Sequence, residues 1–261
     1  MLPRLQRLSG RIFDELCAEL AYARPARRPR RILFDHVPKC AGQSLNAYLR
    51  RHFPGRKIFH MQGSAPAASV AQFRQLPESK RHSFALVSGH LAGQLLDEVH
   101  PDSCKITVLR EPVDRIVSHY YFVKRTQSHY LHEKVLREGL SLRDYVEQAL
   151  SHELSNHYTL HFSGLSREDA ARDPDAAVEQ ALQGLRRYHL VGFQDDMAGF
   201  VAQLRRSANL RLPFPEQKVN VTQDRRSVRE LDPATRAVIE RANALDLRVY
   251  HDLMKNKMAS A

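Results

Sequence analysis

Four short apolar runs, each closed by a small or polar residue and followed by a helix-patterned segment, constrain this chain more than any other feature. They are "RRILFDHV" (30–37), "SFALVSGH" (83–90), "CKITVLREP" (104–112) and "YHLVGFQDD" (188–196). Near-continuous hydrophobicity over so few residues suits strands covered on both faces, as in a parallel sheet. After the first run, Leu45, Tyr48, Leu49 and Phe53 recur at helical spacing. Val113, Ile116, Val117, Tyr120 and Tyr121 do so after the third, and "MAGFVAQLRRSA" does so after the fourth. Strands alternating with helices imply parallel pairing through right-handed crossovers.

The same reading divides the chain. Residues 1–30 read as an amphipathic helix running into the basic, proline-broken linker "RPARRPRR" (24–31), where the prolines forbid continued helix. Residues 31–261 read as one α/β domain carrying a helical insert at about 127–187. Within that insert Ser141 and Asp144 spell a capping box with aspartate in the acid position. Asp232 and Pro233 spell the start of a terminal helix.

In open parallel sheets ligands bind beyond the carboxyl ends of the strands. Three strand ends here carry candidate functional groups: Lys39, His90 and Arg110. In "PKCAGQS" (38–44), Ala41 and Gly42 let the backbone approach an anion. The helix beginning near Ser44 adds N–H groups and a positive dipole end. This is not a Walker A loop, because the lysine precedes the glycine and Gln43 stands where a Walker lysine would. In "LREPVDRIVSHYYF" (109–122), Arg110 could pair with Asp114 or Glu111, or join Ser118, eight residues on, at a phosphate.

The two motifs together resemble those of the PAPS-dependent sulfotransferases. "PKCAGQS" is similar to their 5′-phosphosulfate loop and "LREPVDRIVSHYYF" to their 3′-phosphate motif. The carbohydrate-type branch, with the heparan sulfate 2-O- and 6-O-sulfotransferases and bacterial relatives, is the nearest in spelling. Weaker echoes are "VSGHLAG", "SNHYTLHFSG" (155–164), "LVGFQDDM", "KVNVTQ" (218–223) and "NALDLRVY" (243–250). The resemblance implies a P-loop-like, three-layer α/β domain with a central parallel sheet flanked by helices. It implies sulfuryl transfer from PAPS, leaving PAP, to an acceptor hydroxyl or amine without a metal.

Carried over residue by residue, Lys39, Cys40, Ala41, Gly42, Gln43 and Ser44 would hold the 5′-phosphosulfate. Arg110 and Ser118 would hold the 3′-phosphate, and Asn220, Thr222 and Arg225 would lie in the late cofactor loop. Lys39 would neutralise charge on the departing bridging oxygen. His90 would be the base, as in the similar branch, and an ordinary imidazole pKa of about 6.5 suits that task. His36 and His60 are the alternatives, and Asn156 or His157 would line the acceptor pocket. Two positions depart from the common PKTAGTS spelling: Cys40 and Gln43 replace threonines. Cys40, beside Lys39 and a helix start, is then a candidate for easy oxidation.

Composition narrows the partners. The chain has a net charge of +11 and 43% hydrophobic residues, which favours anionic ligands on an ordinary globular fold. An anionic glycan or glycolipid acceptor is the expectation, with peripheral membrane contact through the basic N-terminal segment. Three unmatched cysteines, Cys17, Cys40 and Cys104, and no long apolar window point to a cytoplasmic location. Two other classes fare worse. A P-loop kinase or NTPase would need a Walker lysine and an acid where "ITVLR" ends in arginine. A nucleic-acid-binding protein would show a helix-turn-helix, RRM or finger pattern. A sulfotransferase-like protein that binds nucleotide without turnover is the remaining alternative.

Overall fold

The computed structural model describes residues 15, 16, 18–20, 22, 23, 28–215 and 227–259. The N-terminal part of the leading helix, Cys17, Asn220, Thr222 and Arg225 lie outside the described residues. The chain divides into two compact units, one of residues 1–109 and 187–219, the other of residues 110–186 and 220–261.

The first unit holds a five-stranded, all-parallel sheet flanked by helices. Its strands are β1 (Ile32–Asp35), β2 (Ile58–His60), β3 (Leu86–Gly89), β4 (Cys104–Leu109) and β5 (Leu190–Phe193), in spatial order β2-β3-β1-β4-β5. The four expected apolar runs supply β1, β3, β4 and β5. In β1, Ile32, Leu33 and Phe34 are all buried, as a strand covered on both faces requires. The sequence reading missed β2. It is a three-residue edge strand, only partly buried, so its apolar content is too small to stand out.

From β1 the chain goes on to β2 at one edge of the sheet, and from β4 to β5 at the other. The topological switch point therefore lies between β1 and β4, which pair with Asp35 opposite Thr107. Helix α1 (Gly42–Arg50) follows β1 and buries Leu45, Tyr48 and Leu49.

Just beyond α1, His52 ties the unit together. Its Nδ1–H donates to the Tyr48 carbonyl at 3.0 Å, and its Nε2 accepts from the Leu212 amide at 3.2 Å. Tyr48 in turn donates its hydroxyl to the Leu212 carbonyl at 3.0 Å. Burial pushes the His52 imidazole down to about 4. An unfolded histidine titrates near 6.5, so between those values the unfolded chain binds the extra proton. Stability is full above about pH 6.5 and falls as the pH drops towards 4, by up to roughly 3 kcal/mol from this residue. Urea midpoints measured from pH 7.5 to 4 should slope downward in the wild type and less steeply in His52→Gln, the remaining slope coming from other buried histidines such as His36. Equal slopes would disprove the assignment.

The second unit is helical. Helix α2 (Pro112–Arg125) begins at Glu111, whose carboxylate accepts from the amides of Val113 and Asp114 at 3.1 and 2.7 Å. Its Val113, Ile116, Tyr120 and Val123 build a core with Leu131, Val135, Tyr145, Leu154, Val238 and Ile239. The insert is indeed helical, and it includes α3 (His157–Ser163) and α4 (Pro174–Arg186). Ser141 and Asp144 form the full reciprocal capping box. The terminal segment, read as one helix, is two: α5 (Pro233–Ala242), capped by Asp232, and α6 (Ala244–Ala259). The break falls at Asn243, whose side-chain amide is drawn inward to the Leu154 carbonyl at 3.0 Å.

Candidate active site

The loop after β1 turns on two left-handed residues, Lys39 (φ 67°) and Ala41 (φ 60°). Side chains other than glycine rarely adopt this conformation, and alternation of hand turns successive amides towards a common concavity. Helix α1 then starts at Gly42, two residues before the expected Ser44. Its N-cap, Ala41, makes no side-chain capping bond, and its first turn has no acid. A helix start of this kind keeps its amides and positive dipole end available to an anion. Gln43 is exposed, and Ser44 is partly exposed. Cys40 is buried, with its thiol 3.5 Å from the Pro38 carbonyl. That burial corrects the expectation of easy oxidation, because an oxidant must reach the sulfur.

His36 packs directly against this loop. A Cβ on Gly42 would lie 1.8 Å from His36 Cδ2, so only glycine admits the ring there. The His36 ring also stacks on His90, with ring centroids 4.4 Å apart. His90 Nδ1–H donates to the His36 carbonyl at 2.6 Å. Since a carbonyl can only accept, Nδ1 carries the proton in neutral His90 and Nε2 is the basic nitrogen. Burial, then the neighbouring His90, push the His36 imidazole down to about 3. His36 is therefore a poor proton acceptor and a good neutral spacer. His60 lies on edge strand β2, its Nδ1 3.1 Å from Ser88 Oγ, and burial lowers its pKa as well.

Asp35, the last residue of β1, was not singled out in the sequence. It is fully buried, and its Oδ2 accepts from the Tyr188 hydroxyl at 2.6 Å. Burial and the Asp35 carboxylate hold the Tyr188 hydroxyl well above its usual range. Gly93 lies so close that a Cβ there would approach Asp35 Oδ2 to 2.5 Å. The available signal was an acid closing an otherwise apolar run.

The second cluster belongs to the helical unit. Arg110 directs Nε to Asp114 Oδ2 at 2.5 Å, whereas Glu111 is taken by its capping role. Asp114 and Ser118, four residues apart on α2, share a helical face, so Arg110, Asp114 and Ser118 align along one side. The Tyr158 hydroxyl accepts from the Arg110 amide at 3.0 Å and donates to the Arg110 carbonyl at 2.7 Å. Asn156 accepts the amides of Leu245 and Asp246 on its Oδ1 at 3.0 and 3.4 Å. It also lines a cavity of about 220 Å³ with Ser155, Leu160, Arg167 and Leu245. His157 keeps its Nε2 buried and unpartnered, and burial, then Arg115, hold its pKa well below the usual value.

Among the described residues no helix is long and apolar enough to cross a membrane. Among them, too, no group of three or more His, Cys, Asp or Glu side chains is placed to hold a metal ion.

The sulfotransferase family model matches residues 27–251 of this chain. Among solved structures, a sulfotransferase from Alicyclobacillus acidocaldarius aligns with a TM-score of 0.43 and 16% identity, over 87% of this chain and 96% of that one. No protein of curated function matches the sequence.

Proposed function

The chain belongs to the sulfotransferase family, and from that premise we propose that it moves a sulfuryl group from PAPS to an acceptor hydroxyl of a carbohydrate or glycolipid. The observation that carries the reading is the commitment of His90 Nδ1–H to the His36 carbonyl, which makes Nε2 the proton acceptor of that ring. The uncapped, acid-free start of α1 and the two left-handed residues before it suit a phosphosulfate group.

When bound, PAPS would supply the sulfuryl group and a leaving group already stabilised as a bisphosphate. The chain's own residues then have separate tasks. The amides from Cys40 to Ser44 bind and orient the 5′ end. Lys39 places a positive charge where negative charge develops on the bridging oxygen, an electrostatic role that commonly supplies about 3–4 kcal/mol. His90 Nε2 takes the proton of the acceptor hydroxyl, while the His36 carbonyl keeps the ring from rotating. Arg110 and Ser118 bind the 3′-phosphate, with Asp114 fixing the orientation of the guanidinium. The positive balance of the chain suits both this polyanionic donor and an anionic acceptor.

Thermal-shift titration separates this from nucleotide binding of other kinds. PAP should stabilise the protein more than ATP or AMP at equal concentration, and Arg110→Ala should abolish the preference. Equal shifts for all three nucleotides would sink the reading.

A further inference from the structure

We propose that Tyr158 is a positioning residue that sets the 3′-phosphate selectivity of Arg110, through a latch running from Asp246 on α6 to the Arg110 backbone. The inference rests on the Arg110 assignment above and adds a residue that does not itself touch the nucleotide.

Arg110 sits in an awkward place for a backbone. It follows the last residue of β4 and precedes the cap of α2, so its amide and carbonyl lie between a strand and a helix. One hydroxyl satisfies both, because a phenol donates and accepts at once. The Tyr158 oxygen is 3.0 Å from the Arg110 nitrogen and 2.7 Å from its carbonyl oxygen. Phenylalanine could do neither.

Tyr158 is itself held at three points. Its amide donates to Asp246 Oδ2 at 2.9 Å. The next residue, Thr159, gives both its amide and its hydroxyl to Asp246 Oδ1, at 2.8 and 2.9 Å. The face of the Tyr158 ring carries the Arg115 guanidinium 5.2 Å from its centroid. Tyr158, Thr159, Arg115 and Asp246 are all fully buried. A buried carboxylate taking three donors has little freedom to move, and so the hydroxyl of Tyr158 is delivered to one place. The latch thus ties the "SNHYTLHFSG" and "NALDLRVY" segments together, and their shared target is the backbone of the arginine.

The Arg110 side chain leaves that backbone towards Asp114. Fixing the Cα therefore fixes where the fork can reach, which matters for a planar, directional donor. Removing the hydroxyl should cost binding of the 3′-phosphate specifically, leaving the rest of the nucleotide untouched.

The test compares dissociation constants for PAP and AMP, whose ratio isolates the 3′-phosphate. In Tyr158→Phe the PAP constant should rise about tenfold with the AMP constant unchanged. An unchanged ratio, or equal weakening of both nucleotides, would overturn the latch. If Tyr158→Phe does not fold, Asp246→Asn, which keeps the shape and weakens the anchor, should raise the PAP-to-AMP ratio of dissociation constants at least about threefold; no change there overturns the latch equally. Arg110→Ala separates the two ideas. If it erases the ratio while Tyr158→Phe keeps it, the latch fails alone; if it leaves the ratio intact, the Arg110 assignment fails first.

Discussion

His90→Asn should lower sulfuryl transfer about 100- to 10,000-fold, the usual range for removing a general base, while PAP binding stays at the wild-type level. The substitution is chosen for its geometry. An asparagine amide can replace Nδ1–H as donor to the His36 carbonyl, now made at 2.6 Å, but offers no basic nitrogen in place of Nε2. The stack on His36 is partly lost. Transfer of a sulfur-35 label from PAPS across a panel of glycans and glycolipids gives the rate, and thermal shift gives the binding. Activity within fivefold of the wild type would remove His90 from the chemistry. His36→Gln is the companion variant. The pKa of His36, near 3, already makes its ring a poor base, so its loss should act through packing against Gly42 and His90.

The second large effect concerns stability. Arg115 is completely buried, donates from Nη2 to the Glu153 carbonyl at 2.8 Å, and lies over Tyr158. Its charge also favours the ionised forms of Asp246 and Glu153. Burial raises the Asp246 pKa in spite of that help. Burial likewise opposes ionisation of Glu153 and is the largest single influence, but the hydrogen bond from His119 at 2.9 Å, together with neighbouring positive charge that includes Arg115, outweighs it and the pKa falls well below the carboxylate range. Arg115→Ala should destabilise the protein by about 3–5 kcal/mol, the range for stranding one member of a buried charge group. The Nε and Nη1 atoms are themselves buried without partners, so the arginine carries a desolvation cost of its own. The loss is set by what remains behind: a buried Asp246 without its cation and an orphaned Glu153 carbonyl. Arg115→Met, which refills the volume, should recover little, because the stranded groups persist. Urea unfolding decides it, and a change below 1 kcal/mol would contradict the account.

Much of the fold was readable because it follows from local pattern. The apolar runs became β1, β3, β4 and β5, and the caps at Ser141 and Asp232 form as spelled. Side chains within a few residues of each other decide such features, and sequence lists them in order. What failed was short or long-range. β2 has three residues and no periodicity to detect. The terminal helix breaks where Asn243 turns to Leu154, 89 positions away.

The candidate site divides along the same line. The sequence alone determined the parallel α/β class, the loop carrying Lys39, the strand-end positions of His90 and Arg110, and a likeness to the sulfotransferases that the family match bears out. Only the tertiary structure decided which nitrogen of His90 is basic, since that depends on a carbonyl 54 residues away. It also decided why residue 42 must be glycine, since the ring that would collide with a Cβ belongs to His36 on the far side of the turn. Asp35 with Tyr188 and Tyr158 with Asp246 are likewise partners across 153 and 88 residues. The physical reason is common to the three polar pairings. Hydrophobic periodicity and capping act over one or two turns of chain, whereas buried polar groups must find donors and acceptors wherever packing has brought them.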